Sequence, residues 1–71
     1  MNYILVTCDG VDQVCDELAQ AKSEKKDLEA MGFKVKVINC PKRYVDQVCD
    51  MLELGASVTS VHKAIAKMIT G

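Results

Sequence analysis

The sequence predicts a small α/β domain of order β-α-β-α-α, with two parallel strands per chain. The chain has 71 residues, which is room for a single hydrophobic core and for one domain, residues 1–71. Two short apolar runs have the composition of strands, and an amphipathic helical pattern follows each of them. An octet recurs after each run, which indicates two tandem βα units, residues 1–32 and residues 33–71.

The first unit is predicted to contain a strand over residues 3–8 and a helix over residues 11–31. The strand is a continuous apolar run, typical of a strand that is buried on both faces. In the helix, Asp9 is the expected N-cap and Gly32 follows the last turn. The apolar residues at helical spacing are Val11, Val14, Cys15 and Leu18. Because this helix is longer than the strand, we expect it to extend beyond the sheet.

The second unit is predicted to begin with a strand over residues 33–39, where apolar residues alternate with lysines. A helix follows, with Pro41 in its first turn and Gly55 after its end. Ser57 is the expected cap of a third helix, which extends to residue 69. A strand-helix-strand succession requires a right-handed crossover, so the two strands are predicted to be parallel neighbours.

The recurring octet is the most specific pattern in the chain. Residues 11–18 and residues 45–52 agree at seven of eight positions, at an offset of 34. Packing explains the matching apolar positions, whereas the matching polar positions are expected to face water. Either the duplication is too recent to have diverged, or the polar residues form two equivalent surfaces that contact a partner. The second interpretation makes these residues candidate partner contacts: Asp12, Gln13, Asp16, Asp46, Gln47 and Asp50.

The predicted sheet is small, which favours assembly. A sheet of two strands is smaller than most, and pairing across one edge in a homodimer would extend it to four. Residues 9–31 carry a net charge of −4 and residues 32–71 carry +3. Such a charge asymmetry can steer a partner or a second copy of the chain. We therefore expect a homodimer.

Composition excludes several classes of protein. The net charge of −1 argues against a protein whose whole surface binds nucleic acid. No apolar run approaches the roughly 18 residues of a membrane span, and no signal peptide pattern is present, so we expect no membrane association. Nothing marks the chain as secreted and the four cysteines match no zinc motif, so we expect a reduced, cytoplasmic protein with partly buried thiols. We expect neither a metal nor a cofactor.

Two cysteines suggest one alternative function. Cys8 and Cys40 each end a predicted strand just before a helix N-terminus. Parallel neighbours would place the two thiols side by side, and a helix N-terminus lowers the pKa of a cysteine. A thiol-based redox or carrier domain is therefore one alternative. No Cys-x-x-Cys motif is present, so buried structural thiols are favoured over this function.

The last two predicted helices suggest another alternative. Gly55 separates them, and Val61 and Ile65 are expected to face inward from the last helix. This pattern, over residues 45–69, resembles a helix-turn-helix motif, which implies DNA binding through a recognition helix at residues 57–69. If the resemblance holds, the following residues of the recognition helix face DNA: Thr59, Ser60, His62, Lys63 and Lys67. A plain helical hairpin is favoured, because Met51 stands where such motifs have a small residue.

The favoured function is a small, non-enzymatic interaction or regulatory module that binds another macromolecule, an unidentified protein. Inhibitor-type proteins of mobile elements have this size and this lack of catalytic motifs. No catalytic residue is predicted, because the pairs Asp12/Asp16 and Asp46/Asp50 are expected on solvated helix faces. Nothing there would raise the pKa of a carboxylate.

Overall fold

The computed structural model describes residues 1–70, which form a sheet of three strands and three helices. The elements in chain order are β1 (Asn2–Thr7), β2 (Gly10–Cys15), α1 (Leu18–Ala30), β3 (Lys36–Cys40), a 3-10 turn (Lys42–Tyr44), α2 (Val45–Glu53) and α3 (Val58–Thr70). The strand order is β2-β1-β3, and β1 is antiparallel to both neighbours. The α/β class is confirmed, and the prediction of two parallel strands is wrong.

The error originates at the end of β1, where the chain turns back instead of entering a helix. Thr7 pairs with Gly10, so Cys8 and Asp9 form a tight hairpin turn. Gly10 has φ of 109°, a value that residues with a Cβ rarely adopt. The backbone N–H of Asp9 donates to Thr7 Oγ1 at 3.3 Å. Asp9 is therefore a turn residue and not a helix N-cap, and the helix predicted over residues 11–31 begins only at Leu18.

A β-bulge explains why the valines of β2 have helical spacing. Ile4 pairs with Val14 and Val6 pairs with Val11, which leaves Asp12 as an extra residue in β2. Side chains directly opposite each other in an antiparallel pair lie on the same face of a sheet. The extra residue thus places both valines of β2 on one face, although three positions separate them in sequence. A bulged strand can therefore carry the spacing that predicted a helix.

Helix α1 connects β2 to β3 across the face of β1. Both outer strands are antiparallel to β1, so β2 and β3 run in the same direction without being neighbours. A strand-helix-strand crossover is therefore present, but it starts from β2 and not from β1. Thirteen helical residues span about 20 Å, close to the length of a six-residue strand. The predicted extension of the helix beyond the sheet is wrong.

Strand β3 begins later than the predicted range of residues 33–39. The N–H of Gly32 donates to the carbonyl of Glu29, and the N–H of Phe33 donates to the carbonyl of Leu28 at 3.1 Å. These bonds form the glycine-containing C-terminal cap of α1, so Phe33 belongs to the cap and not to the strand. The predicted stop at Gly32 is confirmed.

Helices α2 and α3 pack on the opposite face of the sheet from α1. The same type of cap ends α2, because Gly55, with φ of 95°, and Ala56 donate to the carbonyls of Leu52 and Met51. Ser57 caps α3 as predicted, since its Oγ accepts the N–H of Ser60 at 3.1 Å. The Tyr44 hydroxyl donates to the carbonyl of Met68 at 3.4 Å and ties the 3-10 turn to the end of α3.

The central strand separates two apolar clusters, so β1 is buried on both faces as predicted. The cluster beneath α2 and α3 contains Ile4, Val6, Ile38, Cys40, Val48, Leu52, Val61 and Ile65. The cluster beneath α1 contains Leu5, Cys15, Ala21, Leu28 and Val35. Over residues 1–70, none of the helices combines the length and the apolar character needed to cross a bilayer.

Candidate interaction surface

The recurring octet adopts two different structures. The hexapeptide Val-Asp-Gln-Val-Cys-Asp occurs at residues 11–16 and again at residues 45–50. The first copy is strand β2 and the residue after it, whereas the second copy lies entirely within α2. Val14 is 38% exposed, but Val48, its counterpart, is fully buried. The prediction of two equivalent βα units with equivalent polar surfaces is therefore wrong.

The fold nevertheless brings the two copies to the same side of the molecule, because α2 packs over β2. Residues 9–17 and residues 45–53 contain seven acidic side chains and no lysine or arginine. All seven side chains are exposed, and we call them the acidic surface: Asp9, Asp12, Asp16, Glu17, Asp46, Asp50 and Glu53. Its formal charge of −7 far exceeds the net charge of −1 for the whole chain.

The opposite edge of the sheet carries the opposite charge, because α3 packs over β3. Residues 34–43 and residues 58–70 contain six basic side chains and no acidic one. All six side chains are exposed, and we call them the basic surface: Lys34, Lys36, Lys42, Arg43, Lys63 and Lys67. Residues 18–33, which include α1, contain three acidic and three basic side chains. The charge is thus segregated between β2 with α2 and β3 with α3, whereas Lys42 and Arg43 lie in the 3-10 turn just before α2.

The predicted partner contacts fall in unlike local environments. Asp12 is the bulge residue of the edge strand, Gln13 is half-buried in the same strand, and Asp16 follows it. Asp46 and Asp50 are exposed on α2, and so is Gln47. The structure therefore places the four aspartates on one mixed strand-and-helix surface. Sequence reasoning missed Asp9, Glu17 and Glu53 as members of it. The absence of lysine and arginine from residues 9–17 and 45–53 was the signal available.

The two cysteines of the thiol hypothesis lie far apart. Cys40 pairs with Asn2 at the start of β1, whereas Cys8 lies in the turn after the end of β1. The prediction that they lie side by side is wrong, because it required parallel strands. Burial, and secondarily the neighbouring Cys49, raises the pKa of Cys40 above its ordinary value. A raised pKa disfavours the reactive thiolate. Neither the pKa of Cys40 nor the separation of the two cysteines supports a thiol couple.

The remaining cysteines also disfavour thiol chemistry. Burial raises the pKa of Cys15, and the carboxylates of Glu24 and Asp16 add to the effect. Burial likewise raises the pKa of Cys49, with further contributions from the carboxylates of α2. Only Cys8 is exposed among the four free thiols. Over residues 1–70, no group of three or more His, Cys, Asp or Glu side chains is placed to hold a metal ion.

The residues of the helix-turn-helix hypothesis lie on the outer side of α3. Val61 and Ile65 face the core, as predicted. Five residues predicted to face DNA are exposed: Thr59, Ser60, His62, Lys63 and Lys67. The last two belong to the basic surface. Helices α2 and α3 form a hairpin that closes at Gly55 and lies on the sheet.

Comparisons with known proteins add no family or relative. No family model matches the chain, and neither the curated proteins nor the solved structures give a match.

Proposed function

We propose that this protein is a non-enzymatic binding module whose acidic surface contacts a basic surface of another protein. One observation carries the proposal: β2 and α2, which are distant in sequence, pack together, and their segments at residues 9–17 and 45–53 hold seven exposed carboxylates and no basic side chain. Concentrated charge of one sign steers an oppositely charged partner and rejects partners of like charge.

The edge strand beneath these carboxylates supports the same function. Strand β2 pairs with β1 on one side only, so its outer backbone groups on either side of the bulge at Asp12 are available to a partner. Lysine side chains commonly protect such edges, and β3 carries Lys36, but β2 carries no lysine. Val14 and Leu18 are 38% and 46% exposed and add apolar area to the contact. Steering by charge and burial of apolar area are the two contributions that a specific interface needs.

A regulatory role would follow from the chemistry of this contact. A basic surface that binds this module is no longer available to the phosphates of a nucleic acid. We therefore propose an inhibitor-type action on a partner with a basic surface, as an inhibitor encoded by a mobile element would have. Competition by nucleic acid for the partner is the expected consequence.

Capture of the partner by the immobilised protein tests the proposal. The variant Asp46→Lys/Asp50→Lys reverses two charges of the acidic surface, and Asp27→Lys/Glu29→Lys makes the same charge change on α1. The four residues are all exposed, so both variants are expected to fold. We expect the first variant to lower recovery of the partner at least about tenfold, and the second to stay within about twofold. Equal loss in both variants, or no loss in either, would refute the proposed contact.

A second candidate function is supported by the basic surface. Its six cations have no acidic side chain among them, and α3 adds exposed hydroxyl and imidazole groups. We propose weak, salt-dependent binding of duplex DNA as the alternative, with α3 as the contacting helix. Fluorescence anisotropy of a labelled duplex at low salt measures it. Lys63→Ala/Lys67→Ala should abolish binding, whereas Lys22→Ala/Lys26→Ala, with the same spacing on α1, should not. No binding by the parent protein would exclude this candidate.

A further inference from the structure

A cavity lies between the β1–β2 hairpin turn and the turn that joins α2 to α3. Its volume is about 560 Å³, within the usual range of roughly 300–1,000 Å³ for small-molecule sites. Residues 6–11 form one wall, and residues 52, 53 and 55–58 form the other. The tight hairpin at Gly10 and the cap at Gly55 hold these two turns in place. The two walls therefore come from turns whose backbone conformation is defined by hydrogen bonds.

The cavity combines an apolar floor with an acidic rim. Val6 and Leu52 are buried beneath it, and Val11 and Val58 are half-buried. Asp9 on the hairpin and Glu53 at the end of α2 are both exposed, one from each wall. Thr7, Cys8 and Ser57 supply the remaining polar side chains. No lysine, arginine or histidine is among the described residues that line it.

This lining suits an alkyl chain that ends in a cation. Lysine and arginine side chains place their methylene groups on apolar surface and their charged ends beside carboxylates or water. A phosphate or another anion is disfavoured, because both charged groups at the rim are carboxylates. Among the first N–H groups of α3, that of Ser60 already donates to Ser57 Oγ. Asp9, Glu53 and Cys8 all line the cavity, but within residues 1–70 no three such side chains are placed to hold a metal ion together.

We propose that this cavity binds a lysine or arginine side chain of the partner protein. The inference rests on the proposed function, since Asp9 and Glu53 belong to the acidic surface and make the cavity continuous with it. The surface then provides long-range attraction, and the cavity provides one defined contact. A basic side chain buried in a pocket at the centre of a contact is the kind of residue that dominates interface energies.

An NMR titration tests the proposal. Nα-acetyl-arginine amide is added to the isolated ¹⁵N-labelled protein, and the backbone amide shifts are measured. We expect saturable shifts confined to residues 6–11 and 52–58. Asp9→Asn/Glu53→Gln should weaken binding about five- to tenfold, as expected for the loss of two partly exposed ion pairs. Asp46→Asn/Asp50→Asn removes the same charge from the acidic surface outside the cavity and should change binding less than about twofold. Equal weakening in both variants, or equal binding of neutral Nα-acetyl-norleucine amide, would overturn the proposal.

A second measurement uses Cys8 as a reporter inside the cavity. Its exposed thiol should react faster with aminoethyl methanethiosulfonate, a cation, than with the sulfonatoethyl reagent, an anion, after each rate is divided by its rate on the denatured protein. Asp9→Asn/Glu53→Gln should remove this preference, and Asp46→Asn/Asp50→Asn should preserve it. No preference in the parent protein would contradict an acidic cavity. Partner capture that depends on Asp46 and Asp50, without arginine binding here, would refute the cavity and leave the proposed function intact.

Discussion

Asp12 and Asp46 occupy the same position of an identical hexapeptide, yet Asp12 is the bulge residue of an edge strand and Asp46 lies in the first turn of a helix. What precedes each copy decides between the two structures. A hairpin turn ending at Gly10 places the first copy beside β1, whereas Pro41 and a 3-10 turn lead the second copy into a helix. The flanking sequence therefore overrides the intrinsic propensity of the hexapeptide.

The unlike environments of the two copies predict unlike responses to the same substitution. Val48→Thr places a hydroxyl in the apolar cluster, where the side chain is fully buried, and should lower the free energy of unfolding by about 1–3 kcal/mol. Val14→Thr keeps a β-branched residue at a site that is 38% exposed, and should change it by less than about 0.5 kcal/mol. Urea unfolding of both variants measures the difference. Equal losses would contradict the assignment of the first copy to an edge strand.

The cap of α3 provides a second stability test. Ser57 Oγ accepts the N–H of Ser60 at 3.1 Å, so Ser57→Ala should lower the free energy of unfolding by about 1 kcal/mol. Ser60→Ala keeps that backbone donor and removes an exposed hydroxyl that accepts a hydrogen bond from Ser57 Oγ at 3.0 Å, and should stay within about 0.5 kcal/mol. Thermal or urea unfolding distinguishes the two. A larger loss for Ser60→Ala would mean that the helix begins elsewhere.

The buried thiols predict a loss of stability in alkaline solution. Burial raises the pKa of Cys15 and of Cys40, whereas in the unfolded chain each ionises near its ordinary value of 9.0. A raised pKa in the folded state contributes stability that is fully present below the ordinary value and is lost as the pH rises through the folded value. We expect the free energy of unfolding to be flat near pH 7 and to fall above about pH 9. The variant Cys15→Ala/Cys40→Ala should lose less stability above pH 9 than the parent protein. An unchanged slope would contradict the assignment of the decline to these two thiols.

The homodimer stays a prediction. The separation of acidic and basic surfaces determines which edges of the sheet could pair in it. Pairing of β2 with β2 would bring two acidic surfaces together, and pairing of β3 with β3 would do the same for the basic surfaces. We therefore expect association through unlike edges, stronger at about 20 mM than at about 500 mM salt. Sedimentation equilibrium at both salt concentrations measures it. A monomer in both conditions would remove the homodimer, and tighter association at high salt would indicate pairing of like edges.

Local signals predicted much of the fold. Several features could be predicted because each depends on residues close in sequence: the buried run of β1, the stops at Gly32 and Gly55, the cap at Ser57, and the buried positions Val61 and Ile65 of α3. Strand β2 could not be predicted from hydrophobic periodicity, because its bulge gives the valines of a strand the spacing expected in a helix. The Asp9–Gly10 pair was the stronger signal, since such a pair between apolar runs is typical of a hairpin.

The candidate site was predicted only in part. The aspartates of the two octets were identified, but the prediction placed them on two equivalent helices. Their assembly into one surface depends on the packing of α2 over β2, a contact between segments more than thirty residues apart in sequence. The cavity was not predictable either, because its walls come from two turns that meet only in the folded chain.

The central claim is that one hexapeptide is a strand over residues 11–15 in its first copy and a helix over residues 45–50 in its second, so that the two copies share one acidic surface. Backbone NMR tests this most directly. We predict strand-type ¹³Cα shifts over residues 10–15, with cross-strand NOEs from Val11 to Val6 and from Val14 to Ile4, and helical shifts over residues 45–53. Helical shifts in both copies, without these cross-strand NOEs, would contradict the fold, the acidic surface and the cavity together.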